Sequence, residues 1–411
     1  MESTESKTGS PSRKRRWAQY SLRTLLVIML LASLGMSWVA VRMERARKQR
    51  EAVEAIDELG GWTLYDFEPE SGLMRGDEVP PGGRWLRSLV GDHFFTAVVA
   101  AGVDNDAGMP HLTAFPNLQR LCLNSTAVTD AGLEHLNHLS HLEQLELRDT
   151  ELTDAGLAHL KGLRHLWLLD LRNTHVSDAG LEHLSRLTDL AWLELGNTRV
   201  TDAGLVHLKG LSQLLSLHLT NTQVSDAGLA HLKEFSGLER LSLDGTKASD
   251  IGLEHLKGLA QLTHLRLNAT RVSDAGLGQL RDLAHLEELA LGGTRVTDVG
   301  LKCLEGLRGL KYLRLSGTQI TDAGLVHLKG LVQLQELDLH GTQVTNAGLE
   351  HLQDLNQLLL LGRGNTKITD AGLQSRKGLN ALRFTYFTES NIQFELGRRQ
   401  APADKAVKNP Q

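Results

Sequence analysis

Residues 142–163, with the sequence LEQLELRDTELTDAGLAHLKGL, form one unit of a pattern that recurs every 24 residues. Its signature, Thr/Ser-Asp-Ala-Gly-Leu, occurs with few replacements in eleven copies between residues 126 and 373, and a weaker twelfth copy occupies residues 105–109. Units this short cannot bury their apolar side chains alone, and a fixed period of this length is typical of stacked repeats. The sequence therefore predicts a solenoid.

The two halves of the unit predict different secondary structures. Leu145 and Leu147 alternate with polar residues, which is typical of a half-buried β-strand. Leu157, Leu160 and Leu163 follow at intervals of three residues, which favours the inner face of a short helix. Each repeat is therefore expected to contribute one strand and one helix.

The signature is expected to begin the helix. Thr153 or Asp154 occupies the N-cap position, where a side-chain oxygen accepts a hydrogen bond from a free backbone N–H. Gly156 lowers helix propensity, so its presence predicts close packing against the neighbouring turn.

Stacking the units predicts an α/β solenoid, a curved right-handed stack with parallel strands on its concave face and short helices on its convex face. Twelve strands at a spacing of about 4.8 Å would give an edge of roughly 50–60 Å. A core made of leucine explains why aromatic residues are 4% of the chain while apolar residues are 41%.

The pattern resembles the leucine-rich repeat family. The family's L-x-x-L-x-L-x-x-N/C-x-L segment is matched by residues 142–152, and the resemblance extends over residues 117–380. Thr150 and its equivalents replace the usual Asn or Cys, and we expect these hydroxyls to bond to adjacent turns. The chain looks most similar to bacterial membrane-anchored repeat proteins, and the resemblance implies protein recognition on the concave face.

The sequence divides into six segments. They are a basic N-terminal tail (1–23), a transmembrane anchor (24–41), a juxtamembrane helix (42–60), an N-terminal cap with a degenerate first repeat (61–116), the repeats (117–380), and a C-terminal cap with a disordered tail (381–411).

The segment Thr24–Val41 contains 18 uncharged, mostly apolar residues, close to the roughly 20 needed to span a membrane. A cleaved signal peptide is the alternative, because a basic stretch precedes the segment. Six Lys and Arg residues precede it and five follow it closely, so orientation rests on the tendency of long domains to translocate. We expect a single-pass membrane protein with an extracytoplasmic repeat domain. Residues 43–59 are interpreted as a stalk rather than a dimerising coil.

The ends of the solenoid need caps, because an end repeat would otherwise expose leucine. Large apolar residues in Trp85–Val90 and at Phe94 and Phe95 predict the N-terminal cap. Downstream, Arg363 and Arg376 occupy inward positions, and an aromatic strand (Phe384, Tyr386 and Phe387) is expected to close the stack.

The recurring polar residues do not predict a metal site or catalysis. Nine histidines share one repeat phase, but each belongs to a different turn, whereas a metal needs several ligands at one point. The aspartates are explained by helix capping rather than calcium binding. Cys122 and Cys303 lie too far apart for a disulfide. No nucleotide-binding or hydrolase motif is present, and a net charge of −5 argues against nucleic-acid binding. We expect no cofactor and no enzyme.

Function is expected at the outward strand positions, which packing leaves free to vary. Two aromatics, Trp192 and Tyr312, stand there among charged residues, and Trp, Tyr and Arg dominate binding hot spots. The sequence predicts a protein or peptide partner for a monomeric solenoid, and the alternative is a structural envelope or spacer protein without a specific ligand. The candidate binding residues are Trp192, Tyr312, Arg172, Glu194, Arg266 and Arg314.

Overall fold

A computed structural model describes residues 22–66, 85, 91–374, 382–388 and 391–393. The chain divides into two compact units. The first consists of residues 1–51 and 80–96, and the second, which contains the repeats, consists of residues 52–79 and 97–411.

One long helix, α1, covers Leu22–Glu58, where the sequence predicted an anchor followed by a separate juxtamembrane helix. Its apolar part has a mean hydropathy of 2.2 over 18 residues and is not buried, so by length and composition it could cross a membrane. In the first unit, Arg42 Nε donates to the Phe94 carbonyl at 2.9 Å, and the Arg42 guanidinium lies 5.6 Å from the Phe94 ring centre.

The second unit is built on a 15-stranded sheet in which the strands follow one another in chain order. Strands β2 to β14 are parallel, and the first and last strands pair antiparallel at the two ends. The register is constant: Leu145 of β4 pairs with Leu169 of β5, which pairs with Leu193 of β6. The strands are β1 Trp62–Tyr65, β2 Val98–Gly102, β3 Arg120–Cys122, β4 Gln144–Glu146, β5 Leu168–Asp170, β6 Trp192–Glu194, β7 Ser216–His218, β8 Arg240–Ser242, β9 His264–Arg266, β10 Glu288–Ala290, β11 Tyr312–Arg314, β12 Glu336–Asp338, β13 Leu360–Gly362, β14 Phe384–Thr388 and β15 Asn391–Gln393.

The predicted helices are only short α-helical or 3₁₀ stretches of three to seven residues each. A 3₁₀-helix has three residues per turn, so leucines at intervals of three residues suit it better than an α-helix. The α-helical turns are Asp154–Leu157, Asp178–Leu181, Asp226–Leu229, Asp250–Leu253, Asp274–Leu277, Asp298–Leu301 and Asp370–Gln374. The 3₁₀ turns are Asp92–Phe94, Met109–Ala114, Gly132–His138, Ala158–Gly162, Glu182–Arg186, Gly204–Leu208, Leu232–Glu234, Glu254–Leu256, Gly278–Leu280, Lys302–Leu304, Gly324–Leu328 and Gly348–Leu352.

Capping explains the threonine or serine in most copies of the signature, although the Ser177 side chain makes no capping bond, and it does not explain the aspartate. Thr153 is the N-cap of its turn, and its hydroxyl accepts from the Ala155 N–H. Asp154 does not cap this turn. Its two carboxylate oxygens accept from Ser177 of the next repeat, from the backbone N–H at 2.7 Å and from the hydroxyl at 2.5 Å. The prediction that capping explains each aspartate was therefore wrong, because these side chains join successive repeats.

The glycine of the signature provides the space for this contact, as its expected close packing implied. A β-carbon added to Gly180 would lie 2.5 Å from Asp154 Oδ1. A side chain there would displace the carboxylate, so Asp154, Ser177 and Gly180 form one unit that spans two repeats. We call it and its equivalents the inter-repeat triad.

The threonines that replace Asn or Cys act within their own repeats, contrary to the prediction. Thr150 is buried, and its hydroxyl donates to the Leu147 carbonyl three residues earlier at 2.7 Å. Thr198 makes the same bond to Leu195 at 2.6 Å. These hydroxyls close the bend after each strand and do not bond to adjacent turns.

The ends differ in part from the expected caps. Ala52 and Ile56, at the end of α1, are buried in the leucine core, so this part of the helix caps the solenoid and is not a stalk. At the other end Arg363 is buried at an inward position, as predicted, and donates to the Ile368 carbonyl. A strand, β14, lies where the aromatic closing strand was predicted, but β15 follows it and pairs antiparallel with it at the end of the sheet. Residues 86–90, Arg376 and the tail after Gly397 lie outside the described residues.

Candidate functional site

One surface of the sheet is formed by the outward-pointing residues of β3 to β13. It also includes the residue that precedes each of these strands and the second residue after it. We call this surface the strand face. Residues two apart in a strand point the same way, so Trp192 and Glu194 of β6 share this face. Because the register is constant, each side chain has its equivalents 24 residues away as neighbours.

Large apolar side chains gather on one part of the strand face. Trp167 and Leu168 at β5 and Trp192 at β6 are half-buried, and Leu215 before β7 is 38% exposed. Two of them are joined through the backbone, since the Trp192 N–H donates to the Trp167 carbonyl at 2.9 Å. We call these four residues the apolar patch. Of these four residues the sequence predicted only Trp192 as a binding residue, because Trp167 and Leu215 lie one residue before the alternating strand positions.

The Trp192 ring makes a cation–π contact with an arginine of the same sheet. The Arg240 guanidinium, from the strand after next, lies 5.1 Å from the centre of the Trp192 ring. Ser216 stands between them in β7 and is buried, so its small side chain leaves the indole open to the arginine. Such a cation–π contact contributes about 0.5–1 kcal/mol at an exposed site.

Beside this contact, two predicted binding residues are engaged in ion pairs. Arg172 Nη2 lies 2.6 Å from Asp170 Oδ2, and this hydrogen bond raises the pKa of the guanidinium. Glu194 is buried, 3.8 Å from Arg172 and 2.9 Å from His218 Nδ1. The His218 contact lacks hydrogen-bond geometry, so Glu194 Oε2 is buried without a hydrogen-bond partner, as is Ser216 Oγ. Contrary to expectation, Glu194 lies at the floor of the strand face rather than at its surface.

The other two predicted arginines form a second network, several repeats away. Arg266 Nε donates to Glu288 Oε1 at 2.8 Å, and Arg314 lies between Glu288 at 3.8 Å and Glu336 at 3.5 Å. Tyr312 is half-buried in β11, and its hydroxyl is 3.4 Å from Gln335 Oε1. Trp192 and Tyr312 are five strands apart, or about 24 Å, so they do not share one site.

Burial shifts the pKa of three ionisable groups on the strand face. It raises the pKa of the Cys122 thiol in β3. It also raises the pKa of Asp244, although Asp244 Oδ1 accepts from the Asn268 N–H at 2.7 Å. It lowers the pKa of His264, and the charge of nearby Arg240 acts in the same direction.

The helical side carries the file of histidines. They lie half-buried, one per turn, and His327 Nδ1 contacts Glu305 Oε1 at 2.6 Å. Within the described parts of the chain, no three His, Cys, Asp or Glu side chains are grouped as metal ligands would be. Cys122 in β3 and Cys303 in the turn Lys302–Leu304 are free thiols.

Parts of the repeat region are similar to a known type of repeat. Models of the leucine-rich repeat match residues 284–344 and 138–160. The fold is similar to that of an internalin (inlF) from Listeria monocytogenes, with 23% identity, a TM-score of 0.55, and coverage of 74% of this chain and 93% of the internalin. A leucine-rich repeat protein of Leptospira interrogans is 19% identical, with a TM-score of 0.46 and coverage of 68% and 80%. No curated protein sequence matches the chain significantly.

Proposed function

We propose that this leucine-rich repeat protein is a membrane-anchored recognition protein that binds a protein or peptide partner at the apolar patch. Leucine-rich repeat solenoids are commonly protein-interaction modules, but a fold alone does not determine a function. The proposal therefore depends on one observation, the four large apolar side chains that remain half-buried or exposed together on the strand face.

The surroundings of the apolar patch support this choice. Two of its four members are tryptophans, the residue type most enriched at binding hot spots. By contrast, the predicted arginines Arg172, Arg266 and Arg314 are paired with carboxylates of the same face. A partner that used them would first have to replace these ion pairs, whereas the apolar side chains can be covered without breaking an ion pair.

Capture experiments test the recognition. Full-length protein in zwitterionic-lipid nanodiscs, incubated with solubilised envelope extract, is expected to retain one reproducible partner. Trp167→Ala and Trp192→Ala should each weaken its binding by about 2 kcal/mol, roughly 30-fold, because both residues lie in the patch. Tyr312→Ala, in an equivalent strand position about 24 Å away, serves as the matched control.

The alternative, a spacer protein without a ligand, predicts a different result. Retention would then be unchanged by the two tryptophan variants, and only deletion of whole repeats would alter the envelope. A partner lost equally with all three variants would also refute recognition at the apolar patch.

The anchor is proposed from the apolar part of α1, which is long enough to span a bilayer. Intact mass measurement of the mature protein from membranes tests it. A retained anchor predicts a chain that still contains Thr24–Val41 and resists extraction with alkaline carbonate. A chain that begins after Val41 would instead identify a cleaved signal peptide.

A further inference from the structure

The strand face around the apolar patch carries an excess of negative charge. Over the five repeats that contain β4 to β8, six carboxylates face three arginines, which leaves a formal charge of −3. The carboxylates are Glu143, Glu146, Asp170, Glu194, Glu239 and Asp244, and the arginines are Arg148, Arg172 and Arg240. A partner that binds there is favoured if its own charge is positive.

One of these carboxylates, Glu194, can still accept a hydrogen bond. Glu194 is 9% exposed, and its Oε2 has no hydrogen-bond partner although His218 is near. A buried oxygen of this kind is costly to leave unpaired, and a charged donor satisfies it best. The nearest cation, Arg172, is committed to Asp170 at 2.6 Å and lies 3.8 Å from Glu194.

The indole next to Glu194 is already a cation acceptor. Arg240 occupies the face of Trp192, yet its side chain is exposed and makes this contact from two strands away. A cation delivered by a partner can displace Arg240, because exposed cation–π contacts are weak. Trp192 and Glu194 point to the same side of β6, so one basic side chain can meet both groups.

We infer that the partner inserts an arginine or lysine beside Trp192 and towards Glu194, and that this residue is flanked by apolar side chains that cover the rest of the apolar patch. The inference rests on the proposed function and specifies the chemistry of the partner, a basic and apolar peptide segment. The inserted cation takes the place of Arg240 on the indole, and the Glu194 side chain turns from His218 to receive it.

Two labelled peptides that differ only in charge test this assignment. Fluorescence anisotropy compares fluorescein-GSLRLRLSG with fluorescein-GSLELELSG on the full chain in zwitterionic-lipid nanodiscs. The basic peptide is expected to bind at least about tenfold more tightly, because it gains a charge-assisted hydrogen bond and avoids like-charge contact. Trp192→Ala and Glu194→Gln should each weaken its binding by about tenfold.

Two further variants separate binding from stability. Asp338→Asn alters a buried carboxyl of the same strand position, six strands from Glu194, and should leave the affinity unchanged. Arg240→Ala should tighten binding of the basic peptide severalfold, because it removes the internal competitor from the indole. A damaged fold would not produce such a gain.

The result can contradict the inference in two ways. Equal or tighter binding of the acidic peptide that still requires Trp192 would overturn the charge assignment and leave recognition at the apolar patch intact. Absence of any Trp192-dependent binding would overturn the inference as well, and the capture experiment would then decide the proposed function separately.

Discussion

Replacing Gly180 with alanine tests whether the inter-repeat triad holds neighbouring repeats together. The new β-carbon would lie 2.5 Å from Asp154 Oδ1, whereas ordinary contacts begin at 3.4 Å, so the carboxylate must move by roughly 1 Å. That movement breaks at least one of its two hydrogen bonds to Ser177. A hydrogen bond to a charged group contributes about 1.5–3 kcal/mol. Alanine also lowers the conformational entropy of the unfolded chain, and this offsets about 0.4–1 kcal/mol of the lost hydrogen-bond energy.

The expected net destabilisation is therefore about 1–2 kcal/mol. Unfolding of a solenoid need not be two-state, so a local measurement is preferable. The Ser177 N–H donates directly to Asp154, and hydrogen exchange of a peptide that covers residues 176–181 reports its opening. Gly162→Ala is the matched control, because its added β-carbon would meet nothing nearer than 4.0 Å.

A double-mutant cycle decides the mechanism. In an Asp154→Ala background the hydrogen bonds are already absent, so Gly180→Ala should cost less there and only its contacts with Leu157 Cδ1 at 2.9 Å and Val176 Cγ1 at 3.2 Å remain. Equal effects of Gly180→Ala in the two backgrounds would refute the triad, since the glycine would then act through these apolar contacts or through backbone conformation.

Three other predictions follow from the same contacts. Thr198→Val should lower stability by about 1 kcal/mol in urea unfolding and Thr198→Ser by less, because only valine removes the bond to Leu195; equal effects would contradict this role. Asp244→Asn should raise the Tm at pH 7, since burial raises the pKa of this carboxyl and disfavours its charged form. The raised pKa means that the difference should close as the pH falls below about 4, where Asp244 is neutral in both folded and unfolded chains, and a constant difference would argue against it. Ile56→Ala should cost about 2–5 kcal/mol and increase hydrogen exchange first in β1 and β2, because this side chain is fully buried at the end of the solenoid; variants of exposed Asp57 or Glu58 with the same effect would contradict a specific cap.

The fold could be predicted from the sequence because every repeat has the same pattern of leucines. The alternation at Leu145 and Leu147 identified the strand, and its constant spacing identified the parallel register. The type and length of the helical turns were harder to predict, because leucines at intervals of three residues suit both the inner face of an α-helix and a 3₁₀-helix. Only packing distinguishes them.

The polar contacts could not be predicted in the same way. Asp154 stands where a capping residue is common, yet its partner Ser177 lies 23 residues ahead and becomes a neighbour only when the repeats stack. Local sequence also could not show that Glu194 would be buried between repeats or that Arg172 would pair with Asp170. Such facts depend on rotamers and on the width of the strand face.

The inter-repeat triad also bears on how such a chain can change its length. Each repeat supplies the aspartate for the repeat that follows it, and the hydroxyl and glycine for the repeat that precedes it. Duplication or loss of any 24-residue block therefore rebuilds every junction without a compensating substitution. Even Asn346, the one exception, keeps the join, since its amide bonds both the backbone and the hydroxyl of Thr369. Evolution can thus lengthen or shorten the strand face in steps of about 4.8 Å, and only the terminal caps restrict where the steps occur.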